Sequence, residues 1–164
     1  MATMQKIWKK WGWPLLVCIA LPVGVGALSA LLSGDEKTVY ESFNQPPFAP
    51  PNWVFPIVWT VLLVLLGIAS LLLLRENPDA KTRKRLMIVY FLNLGLIFLW
   101  PLLFFRLKAL LLAFILAAIL MVAALVQCVK FYEVKKTAGY LAIPYFLWSV
   151  FALFLSFGFY LLNR

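Results

Sequence analysis

The residues with the most chemistry to offer are aromatic rings and one mid-span amide. Asn93, Leu96 and Trp100 are spaced i, i+3 and i+7, which places them on one helical face. Tyr145, Trp148 and Ala152 follow a similar spacing just beyond Pro144, and Trp59 lies one turn from Leu63. Such residues stack on flat molecules and supply a few hydrogen bonds. The groups that move protons or hold metals are scarce. There is no histidine, which removes the usual general base and the commonest metal ligand together. The six carboxylates, Asp35, Glu36, Glu41, Glu76, Asp79 and Glu133, all fall between apolar stretches. Cys18 and Cys128 sit in different stretches and read as small packing residues. No carboxylate dyad, phosphate loop or dinucleotide motif appears, and a proton-driven pump would carry an ionisable group inside its spans. Binding is the chemistry this set supports.

The elements that must position these residues are membrane helices. Of 164 residues 65% are hydrophobic and 13% charged, with a mean hydropathy of +0.96. Soluble domains are about half apolar and a quarter charged. A span needs ~20 apolar residues to cross ~30 Å of hydrocarbon. Five stretches qualify, at about 11–32, 53–74, 86–105, 109–129 and 140–162. The expected fold is an all-α integral membrane protein, a single five-helix bundle over 1–164 with no separate soluble domain. The first stretch follows Lys6, Lys9 and Lys10 as a signal peptide would, but it exceeds the ~7–15 apolar residues of such a leader. It is expected to remain as a helix.

The net charge of +9 follows the topology. Eleven of the 15 basic residues fall on one side: Lys6, Lys9, Lys10, Arg75, Lys81, Arg83, Lys84, Arg85, Lys130, Lys135 and Lys136. Short basic loops stay cytoplasmic, so the N-terminus is expected inside and the C-terminus outside a cell membrane. This pattern argues for contact with membrane lipid and against nucleic acid.

The longest connection, 33–52, then lies outside. Its end, QPPFAPPNWVFPIVW at 45–59, holds the pairs Pro46-Pro47 and Pro50-Pro51, followed by Trp53 and Trp59. Proline fixes φ and removes a donor, so an extended rigid strap is expected, placed as a lid over a cavity. Trp8, Trp11 and Trp13 suit the inner interface, where tryptophan belts form, and Trp53 suits the outer one. Trp59, Trp100 and Trp148 lie deeper, where a pocket beneath the strap would use all three. Asn93 must face protein or a cavity. It either bonds a neighbouring helix or contacts a ligand, and the residues alone leave both readings open.

Three blocks, in order, resemble the translocator protein family, also called TspO/MBR or tryptophan-rich sensory protein. They are Tyr40 with QPPFAPPNW and Trp59; LNLGLIFLWPLLFF with Asn93, Trp100 and Pro101; and IPYFLWSVFA with Tyr145, Trp148 and Ala152. The resemblance implies a five-helix bundle whose lidded cavity binds tetrapyrroles such as protoporphyrin IX, and isoquinoline-type drugs. Some members bind cholesterol. Carried over by position, the ligand-binding residues would be Tyr40, Phe48, Pro50, Trp59, Leu63, Asn93, Leu96, Trp100, Trp148 and Ala152. Trp59 and Trp148 would wall a flat ligand and Asn93 would give a polar contact. No cofactor is required, and a porphyrin would be the ligand. The implied role is a receptor or sensor that also transports or delivers its ligand. The alternatives are a light- or oxygen-dependent porphyrin-degrading enzyme, or an accessory subunit with no ligand of its own.

The chain departs from the family pattern where polarity would lie. A loop tryptophan is Phe48, a second helix 3 amide is Ile97, a helix 4 carboxylate is replaced by an apolar residue near Leu116, and a late helix 5 amide is Ser156. A less polar pocket is expected, and the losses argue against photochemical turnover. The sterol-type pattern occurs twice, at Leu155, Tyr160 and Arg164 and at Val129, Tyr132 and Lys135, which shows how permissive it is. The small-residue pairs Gly26/Ala30 and Ala113/Ala117 are compatible with close helix contacts, including a homodimer.

Overall fold

The computed structural model describes residues 12–164. Trp8, Trp11 and the three N-terminal lysines lie outside that range. Among the described residues, five helices are long and apolar enough to span a membrane. They are α1 (Trp13–Ser33), α3 (Val54–Arg75), α4 (Ala80–Pro101, continued by a π-helical turn over Leu102–Arg106), α5 (Leu110–Val134) and α6 (Lys136–Leu162). A short helix, α2 (Glu36–Ser42), lies between α1 and α3. Around the bundle the order of contact is α1, α3, α6, α5, α4 and back to α1.

The core follows from periodicity. On α6 the buried residues Ala138, Ala142, Tyr145, Ser149, Ala152, Ser156 and Phe159 alternate steps of four and three. On α5 Leu110, Ala113, Ala117, Leu120, Ala124, Gln127 and Phe131 do the same. A sustained 3.5-residue period keeps one seam on a neighbour in the left-handed packing typical of bundles. Small residues on both seams let α5 and α6 pack along their lengths. Ala113 and Ala117 are wholly buried inside the bundle, so this pair is spent within one chain and offers no dimer face.

Helix ends extend further than hydropathy alone implies. The third span begins at Ala80, because the Asp79 carboxylate caps it by accepting from Lys81 N at 3.0 Å and Thr82 N at 3.1 Å. The fourth runs to Val134 and the fifth starts at Lys136, so only Lys135 separates them. The basic stretches 75–85 and 130–139 are therefore mostly helix, and their cations project from the first and last turns of the spans. The 33–52 connection is likewise only partly a strap. Gly34, at φ 85°, ends α1, and Asp35 then caps α2 by accepting from Thr38 N at 3.1 Å.

Pro101 explains the π-helical turn. It lacks an N–H for the i→i−4 ladder, and the next turn widens so that Leu107 N bonds Leu102 O at 2.9 Å. The wider turn buries two consecutive rings, Phe104 and Phe105.

Gln127 is the polar residue that the apolar seam does not explain. It is fully buried on α5, and neither amide atom has a hydrogen-bond partner among the described residues. An unpaired buried polar group costs about 1–3 kcal/mol. Gln127→Met, of similar volume, is expected to raise stability by about 1–2 kcal/mol in thermal unfolding in detergent. A loss of stability would mean that the amide holds a bridging partner.

Candidate functional site

The lid is tied down at both ends. Tyr40, buried on α2, donates its hydroxyl to Pro50 O at 2.7 Å across the strap. Burial pushes that phenol up to about 12, so it stays a neutral donor at physiological pH. Its ring meets Phe55 and Phe159, both at 5.3 Å. Phe43 meets Phe104 at 5.8 Å, and Phe104 stacks on Trp100 at 4.9 Å. Further along, Asn44 N donates to Asn163 Oδ1 at 2.8 Å and Asn163 Nδ2 returns a bond to Asn44 O at 2.9 Å. The lid is thus fastened to the C-terminal end of α6. Phe48 is half exposed and lies with Pro46 against Gly158, where any larger residue on α6 would displace them.

Beneath α2 a cavity of about 200 Å³ opens between α1, α3 and α4. Trp59 and Leu63 line it from α3, Ile97, Trp100 and Phe105 from α4 and its π-turn, and Val23, Gly26 and Ser29 from α1. Phe55 stands at its lid end, and Glu36 of α2 is its one carboxylate. Burial pushes the Glu36 carboxyl above its ordinary value, and the Ser33 hydroxyl partly offsets this. The indole N–H of Trp100 is buried with no acceptor among the described residues. Ser29 Oγ donates to Phe98 O at 2.7 Å and Arg106 Nη1 to Leu32 O at 2.9 Å, which hold α1 against α4 beside the cavity.

Three of the ten residues expected at a ligand site, Trp59, Leu63 and Trp100, therefore share this cavity. Trp148 does not line it. Its ring packs edge-on against Phe55 at 6.2 Å, so Phe55 separates it from the open space. Its indole N–H is also buried and unpartnered. Asn93 is fully engaged elsewhere. It accepts from the Tyr145 hydroxyl at 2.9 Å and donates to Ala123 O at 3.1 Å and Val89 O at 2.9 Å. Tyr145 in turn touches Trp59, with ring centroids 6.4 Å apart. The amide thus stands two residues behind the cavity wall. Leu96 and Ala152 are buried in the bundle, and Tyr40, Pro50 and Phe48 belong to the lid.

Glu36, Phe55 and Phe105 were not legible as cavity residues. By sequence Glu36 reads as a loop charge, and only the α2 helix brings it to the cavity. Phe105 faces the cavity through the π-turn, which a regular helical period does not anticipate.

The model of the TspO/MBR family matches residues 18–161. The chain is 35% identical over 150 residues to the tryptophan-rich protein TspO of Archaeoglobus fulgidus, covering 91% of this chain and 96% of that one. It is 31% identical over 155 residues to the tryptophan-rich protein TspO of Chlorobaculum tepidum, covering 91% and 95%. With the tryptophan-rich sensory protein of Cereibacter sphaeroides it shares 32% identity over 148 residues, covering 88% and 89%.

Proposed function

Because the chain belongs to the TspO/MBR family of multi-pass membrane proteins, we propose that it is a receptor for flat, largely apolar ligands of the tetrapyrrole class, held beneath the α2 lid. The observation that carries this reading is the aromatic cavity walled by Trp59, Trp100 and Phe105, with an unpaired indole N–H on Trp100. Aromatic faces favour a flat ring system, and a buried donor without an acceptor favours a ligand that brings one, such as a carbonyl or carboxylate. Isoquinoline-type carboxamides share both features. No metal bond is needed, since ~0.3 kcal/mol per heavy atom takes a large ligand to micromolar affinity.

The cavity of about 200 Å³ is below the ~300–1,000 Å³ of most ligand sites. Uptake of a macrocycle therefore moves Phe55, which opens the cavity toward Trp148 and makes its indole N–H a second donor. In this reading Tyr40 and Pro50 latch the lid over the ligand and Phe48 covers it. Leu63, Leu96 and Ala152 shape apolar walls, and Asn93 acts by fixing Tyr145 behind Trp59. The basic end faces the cytoplasm of a cell membrane, and the lid and C-terminus face outward. Delivery or transport of the ligand would follow from lid opening.

The test is a titration of detergent-purified protein with protoporphyrin IX, read by porphyrin absorbance. Trp59→Ala removes both buried area and an aromatic wall, so affinity is expected to fall tenfold or more, at least about 1.4 kcal/mol. Trp148→Ala, behind Phe55, is expected to cost less, about threefold. Unchanged affinity in both variants would sink the shared-cavity reading.

A further inference from the structure

A second cleft lies at the opposite, basic end of the bundle, between α1, α3 and α4. Its volume is about 240 Å³ and its lining is almost wholly apolar, with Leu21 of α1, Leu74 of α3 and Met87 of α4 among its walls. Two polar features set it apart from an ordinary furrow between helices. Tyr90 lines it, is 8% exposed, and has a buried hydroxyl with no hydrogen-bond partner among the described residues. The nearby Ser70 Oγ spends its own hydrogen on Gly67 O at 2.8 Å and makes no hydrogen bond with the Tyr90 hydroxyl. At the mouth stands Arg83, whose Nη2 donates to Asn77 Oδ1 at 2.6 Å. That amide is neutral, and no ion pair among the described residues involves Arg83. A guanidinium has five donors, so most of this one's hydrogen-bonding capacity remains.

A shallower hollow adjoins the cleft on the outer side of α4. It shares Arg83, Met87 and Phe91 with the cleft and adds Lys84. Arg83 thus heads two apolar hollows separated by the Met87 and Phe91 side chains, with a second cation beside it. A ligand that fits this layout has one anionic group and two apolar chains, with a hydrogen-bond acceptor just below the charge. Tyr90 sits two turns along α4 from Arg83, and helical side chains lean toward the N-terminus, which here is the basic end. Its hydroxyl is therefore carried toward the level where an ester carbonyl would lie.

We propose that this end of the bundle is a specific site for an anionic glycerophospholipid of the adjoining leaflet. The phosphate sits at Arg83 and Lys84, one acyl chain fills the cleft and the other the hollow across Met87 and Phe91. An ester carbonyl accepts from the Tyr90 hydroxyl. Charge complementarity selects the occupant, since a zwitterionic lipid carries its own cation to the same place. The site is separate from the cavity under the lid and does not depend on what that cavity binds.

Native mass spectrometry of the purified chain, with phosphatidylglycerol and phosphatidylcholine of identical chains added in turn, tests the assignment. Phosphatidylglycerol is expected to bind at least fivefold more tightly, as one cation near the headgroup contributes about that factor. Arg83→Gln is expected to cut the preference about fivefold, leaving only what Lys84 supplies. Tyr90→Phe is expected to weaken phosphatidylglycerol about threefold while leaving the preference in place. Lys81→Gln removes the same charge from the same turn but not from the cleft, and is expected to bind as the parent does. Equal losses for Arg83→Gln and Lys81→Gln would overturn the site in favour of diffuse attraction. So would competition by millimolar inorganic phosphate alone, which would make the site an anion site without the chains. Unfolding temperatures of the variants within a few degrees of the parent confirm that binding, not folding, is read.

Discussion

Gly67→Leu is expected to abolish stable assembly of the bundle, and Gly67→Ala to destabilise it by about 1–2 kcal/mol. The reason lies in two residues on different helices. Pro22, buried inside α1, has no N–H, so the carbonyl of Cys18 one turn earlier loses its intrahelical partner. Gly67 of α3 fills the place beside that carbonyl. A Cβ at position 67 would fall 2.6 Å from Cys18 O and 2.7 Å from Ile19 Cα. Both are backbone atoms, so neither can swing aside as a side-chain tip would. In the wild type a glycine hydrogen points at the free carbonyl, a weak but useful contact. Adding one methyl group forces α1 and α3 apart, at a cost of about 1–3 kcal/mol for overpacking, offset by up to ~1 kcal/mol of helix propensity. The control is Gly95→Ala on α4, where an added Cβ meets nothing within 4 Å. That same change should be neutral or stabilising by up to ~1 kcal/mol. Thermal unfolding in detergent reads both, and equal shifts would refute the close approach. Because α1 and α3 wall both cavities, Gly67→Ala should also weaken ligand binding at each end.

Much of this architecture is legible in the chain because lipid enforces simple rules. A spanning segment must bond its own backbone and present apolar side chains, so length and hydropathy locate the five helices. Periodicity within one helix also brings Trp59 and Leu63 together, one turn apart on α3. What periodicity does not contain is which face of α3 meets which face of α4 or α6. Trp59 and Trp100 converge across the cavity, while Trp148 is turned behind Phe55, and only the packing of the helices decides between those outcomes. Capping moves the helix ends, as Asp79 does for α4, and the π-turn after Pro101 shifts the register that would have been used to place Phe105. The position of Gln127 on the α5 seam reads as one more core residue, and its unpaired amide is defined only once the neighbours are in place. Gly67 was silent for the same reason. A glycine in a helix has no visible purpose until another backbone arrives beside it.

Asn93→Leu is the second change with a large expected effect, and it separates two roles for the amide. In the structure Asn93 joins three spans: it accepts from Tyr145 on α6 and donates to Ala123 O on α5 and to Val89 O on its own helix. Replacing it leaves the Tyr145 hydroxyl, fully buried, without an acceptor. An orphaned buried donor costs about 1–3 kcal/mol, whereas interhelical hydrogen bonds in membranes average only ~0.6 kcal/mol and reach ~1.7. The larger range applies here because the removed group leaves a partner with nowhere else to turn. Asn93→Leu is therefore expected to lose about 1–2 kcal/mol, and Tyr145→Phe about 1 kcal/mol because it removes the donor itself. The double variant should lose less than the sum, since the unpaired hydroxyl is gone, with a coupling of about 1 kcal/mol. Additive losses would deny the bond. Ligand affinity then assigns the role. If Asn93 only fixes Tyr145 behind Trp59, protoporphyrin binding should change by less than about threefold in Asn93→Leu. A tenfold loss exceeding that of Tyr145→Phe would mean that the amide leaves Tyr145 and turns to the ligand. The cavity would then have to extend past Trp59 to Asn93 and Tyr145 in the bundle interior, carrying the site deeper than the space under the lid.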